Sequence, residues 1–207
     1  MRSAGALHCL LAALTLAVAP AAAESPRWVP AAGKSRVAFD ASFPLGDFRG
    51  ETREVEGEFH ADPADLRRGV TGVLRVNAAT ISTGVAARDR DMLKALDVSR
   101  HQEIRFAVER VEATFGSVAD RADVLLTIAG RMWIHGAERS MTFPGRVRRR
   151  DDGLWVRGES PLRMSDFGVG PPRRFFFRVA DIVLASFELV LVPGPGGPPG
   201  TPRRGGH

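Results

Sequence analysis

The residues with the most chemical potential stand in one stretch, Thr80-Ile81-Ser82-Thr83-Gly84-Val85-Ala86-Ala87-Arg88-Asp89-Arg90-Asp91-Met92-Leu93. Asp89 and Asp91 form a carboxylate pair of the kind used in general acid–base work, and Arg88 and Arg90 alternate with them. Gly84 permits a turn. A helical segment near 86–97 follows, with Ala87, Asp91 and Ala95 at i, i+4 spacing and Met92, Leu93 and Leu96 as its apolar face. Two readings stand. One is a salt-bridged helical cap over a β structure. The other is a segment that closes one end of a barrel and places the polar head of a ligand.

The rest of the chain gives this pair no catalytic company. His60, His101, His135 and His207 show no H-x-x-x-H spacing, and His135 precedes Gly136 as a turn residue would. No serine sits in a nucleophile elbow, and the folded part has no Gly-rich phosphate loop. The one cysteine, Cys9, lies in an N-terminal leader and follows His8, which does not suit a lipoprotein cleavage site. The sequence therefore predicts no catalytic residue, no metal site and no cofactor.

The elements that must position such residues begin after that leader. Residues 1–23 carry Arg2, an apolar run from about Leu7 to Ala19, and Ala21-Ala22-Ala23 as a small-x-small cleavage site. This is a secretory signal peptide, and it predicts export to the periplasm. The run is shorter than the roughly 20 apolar residues of a membrane span. Removal of the leader also removes Cys9, so the exported domain must be held by its core without a disulfide. At the other end, residues 193–207 are rich in Pro and Gly and predict a disordered tail. One domain over 24–192 remains, long enough for a real core.

One of the 29 Lys and Arg residues is Arg2, so processing lowers the formal net charge from +5 to +4. Lys34 and Lys94 are the only lysines. The runs Arg146-Val147-Arg148-Arg149-Arg150 and Arg173-Arg174 could touch phosphates, and export points to anionic lipid head groups in transient contact rather than to nucleic acid.

Period-two alternation dominates the domain. Val37, Phe39, Ala41 and Phe43 share one face; so do Val55, Gly57 and Phe59; so do Val70, Leu74, Val76 and Ala78. Ile104, Phe106 and Val108 continue the pattern, then Val124, Leu126, Ile128, Met132 and Ile134, and Met141, Phe143 and Val147 after a turn at Gly136. Leu154-Trp155-Val156 and Ile182 to Val192 complete about eight strands, an all-β sandwich or antiparallel barrel. Helices are few. Asp62-Pro63-Ala64-Asp65-Leu66 reads as a helical turn with Asp62 as N-cap and Pro63 at its first position. Residues 161–178 read as an irregular excursion. The last strand is apolar on both faces, which predicts a second layer or a homodimer contact. An eight-stranded barrel has room for one small or elongated ligand, and periodicity alone leaves a filled core equally open.

These pieces, in order and spacing, resemble the YceI-like family of periplasmic lipid/polyisoprenoid-binding proteins. The resemblance rests on Trp28-Val29-Pro30, Ser35-x-Val37-x-Phe39, Ile81-Ser82-Thr83-Gly84, Arg88-Asp89-Arg90-Asp91-Met92 and Glu103-Ile104-Arg105-Phe106. It continues through Gly130-Arg131-Met132-Trp133-Ile134-His135-Gly136, Met141-Thr142-Phe143-Pro144, Ser165-Asp166-Phe167-Gly168-Val169 and Val179-Ala180-Asp181-x-Val183. It implies a lipocalin-like eight-stranded antiparallel barrel with short helical segments, whose apolar pore holds an isoprenoid chain of quinone or polyprenyl type without catalysis. The sequence departs from the family pattern at His101-Gln102, Met164, Glu138-Arg139-Ser140 and Arg173-Arg174-Phe175-Phe176-Phe177.

The candidate pore lining is Phe39, Phe59, Val76, Phe106, Leu126, Ile128, Met132, Phe143 and Phe187. Arg88 and Asp89 are candidates for orienting a head group or latching the cap. Two other functions fit the same scaffold. One is an enzyme with Asp89 or His135 as acid–base. The other is a stress-response interaction module working through the last strand and sensitive to charge at Phe187 or Leu189.

Overall fold

Alternating sequence becomes antiparallel strand along most of the chain. The computed structural model describes residues 25–44, 46–118, 122–170, 173–174 and 177–195. β1 (Arg27–Pro30) and β2 (Arg36–Ala41) are halves of one bent strand, and β3 (Phe48–Thr52) and β4 (Val55–His60) are halves of the next. β1 pairs with β4 and β2 with β3, so the four pieces make a single kinked hairpin. There follow β5 (Thr71–Asn77), β6 (Glu103–Ala113), β7 (Val124–Ile134), β8 (Ala137–Arg150) and β9 (Gly153–Arg163), then the short β10 (Arg173–Arg174) and β11 (Phe177–Arg178), and last β12 (Ile182–Pro193). Each of β4 to β8 pairs with the next.

β12 closes the structure. One of its edges pairs with β9 over nearly its whole length; the other pairs with β2 through Val183–Glu188 and with β1 through Leu191–Pro193. With each bent pair counted once, the result is a closed eight-stranded antiparallel barrel, which removes the sheet edges that would otherwise invite aggregation. β7 shows the inward pattern most plainly: Val124, Leu126, Ile128, Met132 and Ile134 are buried on its inner face. β7 and β8 are joined by His135 and Gly136, both in the left-handed region (φ 53° and 75°), the conformation of the two-residue hairpin turn that matches strand twist.

The helical segment is α1 (Ala86–Ala95), ended by Asp97 at φ 47°. Met92, Ala95 and the buried Leu96 pack on the core. Among the described residues no helix is long and apolar enough to cross a membrane.

Several expectations move. Strands β1 and β3, of four and five residues, are too short for a periodicity signal and are not among the alternating runs of the sequence. β9 extends to Arg163, and the segment beyond it holds a 3-10 turn, Met164–Phe167, and the paired β10 and β11. The turn expected at Asp62 forms, with Asp65 N donating to Asp62 O at 3.0 Å and Asp62 Oδ1 accepting from Ala64 N, but the helical residues start only at Leu66, in a 3-10 turn Leu66–Arg68 capped by Asp65. The cause is tertiary, because Leu66 N donates to Gly116 O across the barrel end. β12 runs to Pro193, which is paired with Trp28, so regular structure passes the predicted start of the tail. The leader and the tail from 196 on lie outside the described residues.

The last strand is corrected in its orientation. Phe187 and Leu189 face inward, Leu189 being only 4% exposed, so neither belongs to an outer contact surface. Val190 on the outer face is covered by the 31–35 loop, through Ala31 N to Val190 O at 2.7 Å and Val190 N to Ser35 Oγ at 3.2 Å. The apolar residues β12 shows to the outside are Ile182 and Leu184.

Candidate functional site: an apolar barrel cavity

The inward side chains enclose a cavity of about 140 Å³. Phe59, Val76, Phe106 and Leu126 stand on its wall, as do Ile128, Met132, Phe143 and Phe187. Ser186 is the one polar residue lining it among the described residues. A wall of this character holds no hydrogen-bonding network for water, and an apolar cavity of ~150 Å³ is known to stay dry and to admit benzene.

Aromatic side chains divide the interior. Phe106 meets Phe143 edge to face with ring centroids 5.3 Å apart, and Phe143 meets Phe187 at 5.6 Å. Glycines on neighbouring strands make room for these rings. Gly158 is the ladder partner of Phe187, and a Cβ there would stand 2.8 Å from the ring. Gly72 opposite Phe59 and Gly50 opposite Phe39 are crossed more closely still. A ring laid over a strand glycine fills the gap left by the missing side chain.

Phe39 is not on the cavity wall. It lies beyond the aromatic row, half-buried against Phe48 at 6.1 Å. Lining residues not singled out from the sequence include Trp28, Leu66, Ile104, Val147 and Leu191. Ile104 and Val147 carry the same alternation as their neighbours. Trp28 gave no periodicity signal, since its strand has four residues; its Nε1 donates to Ala61 O at 3.0 Å inside the barrel.

Chain segments lie over both barrel ends. At one, residues 62–69 lie across the opening with Leu66 and Val118 buried beneath. At the other, α1 and the 164–169 turn form the seal, with Phe167 only 1% exposed. There His135 Nδ1 lies 3.2 Å from the Phe167 carbonyl oxygen, the geometry of an N–H donor, and the His101 ring is 5.1 Å from that of His135. Ser165 donates from N and Oγ to Asp181 at 2.8 and 2.6 Å, and these bonds hold the Asp181 carboxyl below the ordinary carboxylate range, with the Arg163 charge adding to them.

Arg88 and Asp89 belong to this seal and do not line the cavity. Asp89 accepts from Ser82 Oγ at 2.7 Å, from Thr83 N at 2.8 Å and from Thr83 Oγ1. Arg88 donates to Thr83 Oγ1 at 2.9 Å and to the Thr83 carbonyl at 3.1 Å, and its guanidinium lies 4.5 Å from the centroid of Phe48. Partial burial pushes the Asp89 carboxyl up, but the bonds from Thr83 and Ser82 outweigh it and hold the group below its ordinary value of 3.8. The 81–84 segment so fixed pairs with β3 through Glu51 and Ser82, whose backbones exchange bonds of 2.9 and 3.0 Å. It thereby covers the edge that β5 leaves open. Among the described residues no three His, Cys, Asp or Glu side chains come together as a metal site.

The YceI-like domain matches residues 28–191, the whole of this barrel. The chain belongs to the YceI-like family. Among solved structures, BcnA of Burkholderia cenocepacia superimposes with a TM-score of 0.66 at 19% identity, covering 78% of this chain and 98% of that one. A polyisoprenoid-binding domain from Saccharophagus degradans, implicated in plant cell wall breakdown, gives 0.62 at 14% identity, covering 81% and 98%. The YCEI protein of Campylobacter jejuni gives 0.56 at 13%, covering 70% and 84%. At these identities the likeness is one of fold. No curated protein matches the chain by sequence. In this YceI-like barrel the quoted motifs around Asp89, His135 and Asp181 gather at the α1 end, while Trp28, Val37, Ile104, Phe106, Met132 and Phe143, from the other quoted motifs, stand on the cavity wall.

Proposed function

We propose that this protein binds an isoprenoid lipid, of quinone or polyprenyl type, in the barrel cavity and carries it after export to the periplasm. The observation that supports this reading is the apolar wall of the 140 Å³ cavity, within a family whose structural neighbours include a polyisoprenoid-binding domain. Each Å² of apolar ligand surface removed from water contributes about 25 cal/mol, so a branched hydrocarbon tail is retained with few polar contacts.

The cavity as it stands takes one ring or a short branched segment. A longer tail displaces the Phe106–Phe143–Phe187 row, whose members touch edge to face and can turn about χ1 without breaking a hydrogen bond. On this reading the protein is a binder and not an enzyme: Asp89 and His135 are engaged in sealing the barrel and stand away from the cavity.

Native mass spectrometry of the protein purified from periplasmic extract, followed by organic extraction, tests the proposal. A stoichiometric prenyl lipid is expected. A clean unliganded mass, unchanged after incubation with quinones and polyprenyl phosphates, would refute it.

A further inference from the structure

The end of the barrel opposite α1 carries a second feature. Loop 114–118 pins the 62–69 plug over the opening, through Leu66 N to Gly116 O at 2.5 Å and Val118 N to Pro63 O at 2.9 Å. At this junction Phe115 is 66% exposed, and on the outer face of β7 near the same barrel end Leu125 is 57% exposed. These are the two most exposed large apolar side chains among the described residues. Their segments are joined at the backbone: Thr114, the residue before Phe115, donates from N to Leu125 O at 3.0 Å, and Leu125 N donates to Thr114 Oγ1 at 3.2 Å.

Arginines border them. Leu125 faces Arg146 across the ladder, and Arg146 faces Arg157 on β9. Arg148 shares that outer face, and Arg149 and Arg150 end β8 at the same rim. Asp123 binds Arg148 at 2.7 Å and Arg146 at 3.6 Å, and Asp151 and Asp152 stand in the following turn. Glu188 on β12 is the ladder partner of Arg157, and Lys34 Nζ lies 3.3 Å from Asp152, so six cations stand against four carboxylates and the rim is positive.

Two isolated apolar side chains are far too little area for a stable protein–protein contact. They do suit a bilayer, where apolar tips enter the headgroup boundary and guanidinium groups meet lipid phosphates. We propose that this rim is a docking face for an anionic membrane surface, with Phe115 and Leu125 inserted and Arg146, Arg149, Arg150 and Arg157 on the phosphates. The docking stands on these residues alone. That it turns the plugged end of the cavity toward the lipid rests on the function proposed above.

Flotation of the exported protein with vesicles of equal parts phosphatidylglycerol and phosphatidylcholine tests it, with phosphatidylcholine vesicles as control. Association with the mixed vesicles is expected, weakening with salt. Phe115→Ser/Leu125→Ser lowers it at least tenfold, and Arg149→Ser/Arg150→Ser lowers it about fivefold for each arginine removed. All four positions are exposed, so the variants fold. No flotation, equal flotation with neutral vesicles, or an unchanged double variant would overturn the proposal. So would a dimer in vesicle-free sedimentation that Phe115→Ser/Leu125→Ser abolishes, which would assign the patch to a second copy. Lipid content by mass spectrometry on the same samples separates the two proposals. Lipid-free protein that floats leaves the docking face standing and removes the cavity reading; lipid-loaded protein that does not float does the reverse.

Discussion

Phe187 on β12 lies across Gly158, its ladder partner on β9, so closely that a β-carbon on the glycine would stand 2.8 Å from the ring. Gly158 is in turn paired with Gly145 on β8. The ring therefore leans against the wall where two adjacent strands lack side chains, and the cavity keeps the space the ring would otherwise take.

Gly158→Ala should push the Phe187 ring inward. The same Cβ would stand 3.0 Å from the Pro144 carbonyl oxygen, so the strand itself has little room to yield. A loss of about 1–3 kcal/mol is expected, the usual range for overpacking a fitted core. Bound lipid should fall with it. Urea denaturation reads the first effect and native mass spectrometry the second; a variant with full lipid occupancy would show that the ring does not govern the cavity.

Filling and emptying the cavity should act in opposite directions. Ala185 lines it and is half-buried, so Ala185→Leu places three more carbons in existing space. Its stability should change by less than about 1.5 kcal/mol, because the added volume replaces a void. Lipid occupancy should fall. Phe143→Ala removes the central ring of the row and should cost about 3–5 kcal/mol. Added quinone should recover part of that loss, seen as a larger rise in melting temperature than the unsubstituted protein shows.

The inward orientation of Phe187 and Leu189 makes a further separation. Leu189→Glu buries a charge in the barrel and should destabilise the fold by more than about 3 kcal/mol, whatever the oligomeric state. Leu184→Glu, on the outer face of the same strand, should stay within about 0.5 kcal/mol. Sedimentation and thermal melting of both variants check this. A stable, folded Leu189→Glu protein with an altered oligomeric state would reverse the assignment of faces.

The barrel was legible because burial on one face forces period-two alternation, and β7 repeats that alternation from Val124 to Ile134 with Gly130 as its one gap in large side chains. The closure was not legible in that alternation and came only from the family resemblance. It depends on β12 meeting β2 and β1 along one edge, a pairing across some 150 residues that no local pattern encodes. The Phe–Gly pairs were hidden for the same reason: Phe187 and Gly158 read as unrelated until the register joins them. Phe39 shows the limit from the other side. Its alternation places it inward correctly, but depth along the barrel, which separates cavity wall from end seal, is fixed by strand tilt and stagger rather than by period. Arg88 and Asp89 were visible as a charged cluster, while their shared partner Thr83 emerges only from the folded loop.

That loop makes the last prediction one of acid dependence. The Asp89 carboxylate is held below its ordinary value of 3.8 in the folded protein, so its contribution to stability is complete above that value and disappears as pH falls through the lower folded one. Asp89→Asn keeps the shape but loses the charge that strengthens the bonds from Ser82 and Thr83. At neutral pH the variant should be less stable by about 1 kcal/mol, a drop in melting temperature of about 2–4 °C for a domain of this size. The gap should hold constant down to about pH 4 and close below it. Other carboxyls shifted downward, Asp97, Asp123 and Asp181 among them, are common to both proteins and cancel in the difference. Melting curves of the two proteins from neutral pH into the acid range measure the gap directly. A gap that widens on acidification would mean that Asp89 is not the ionised latch of the 81–84 segment.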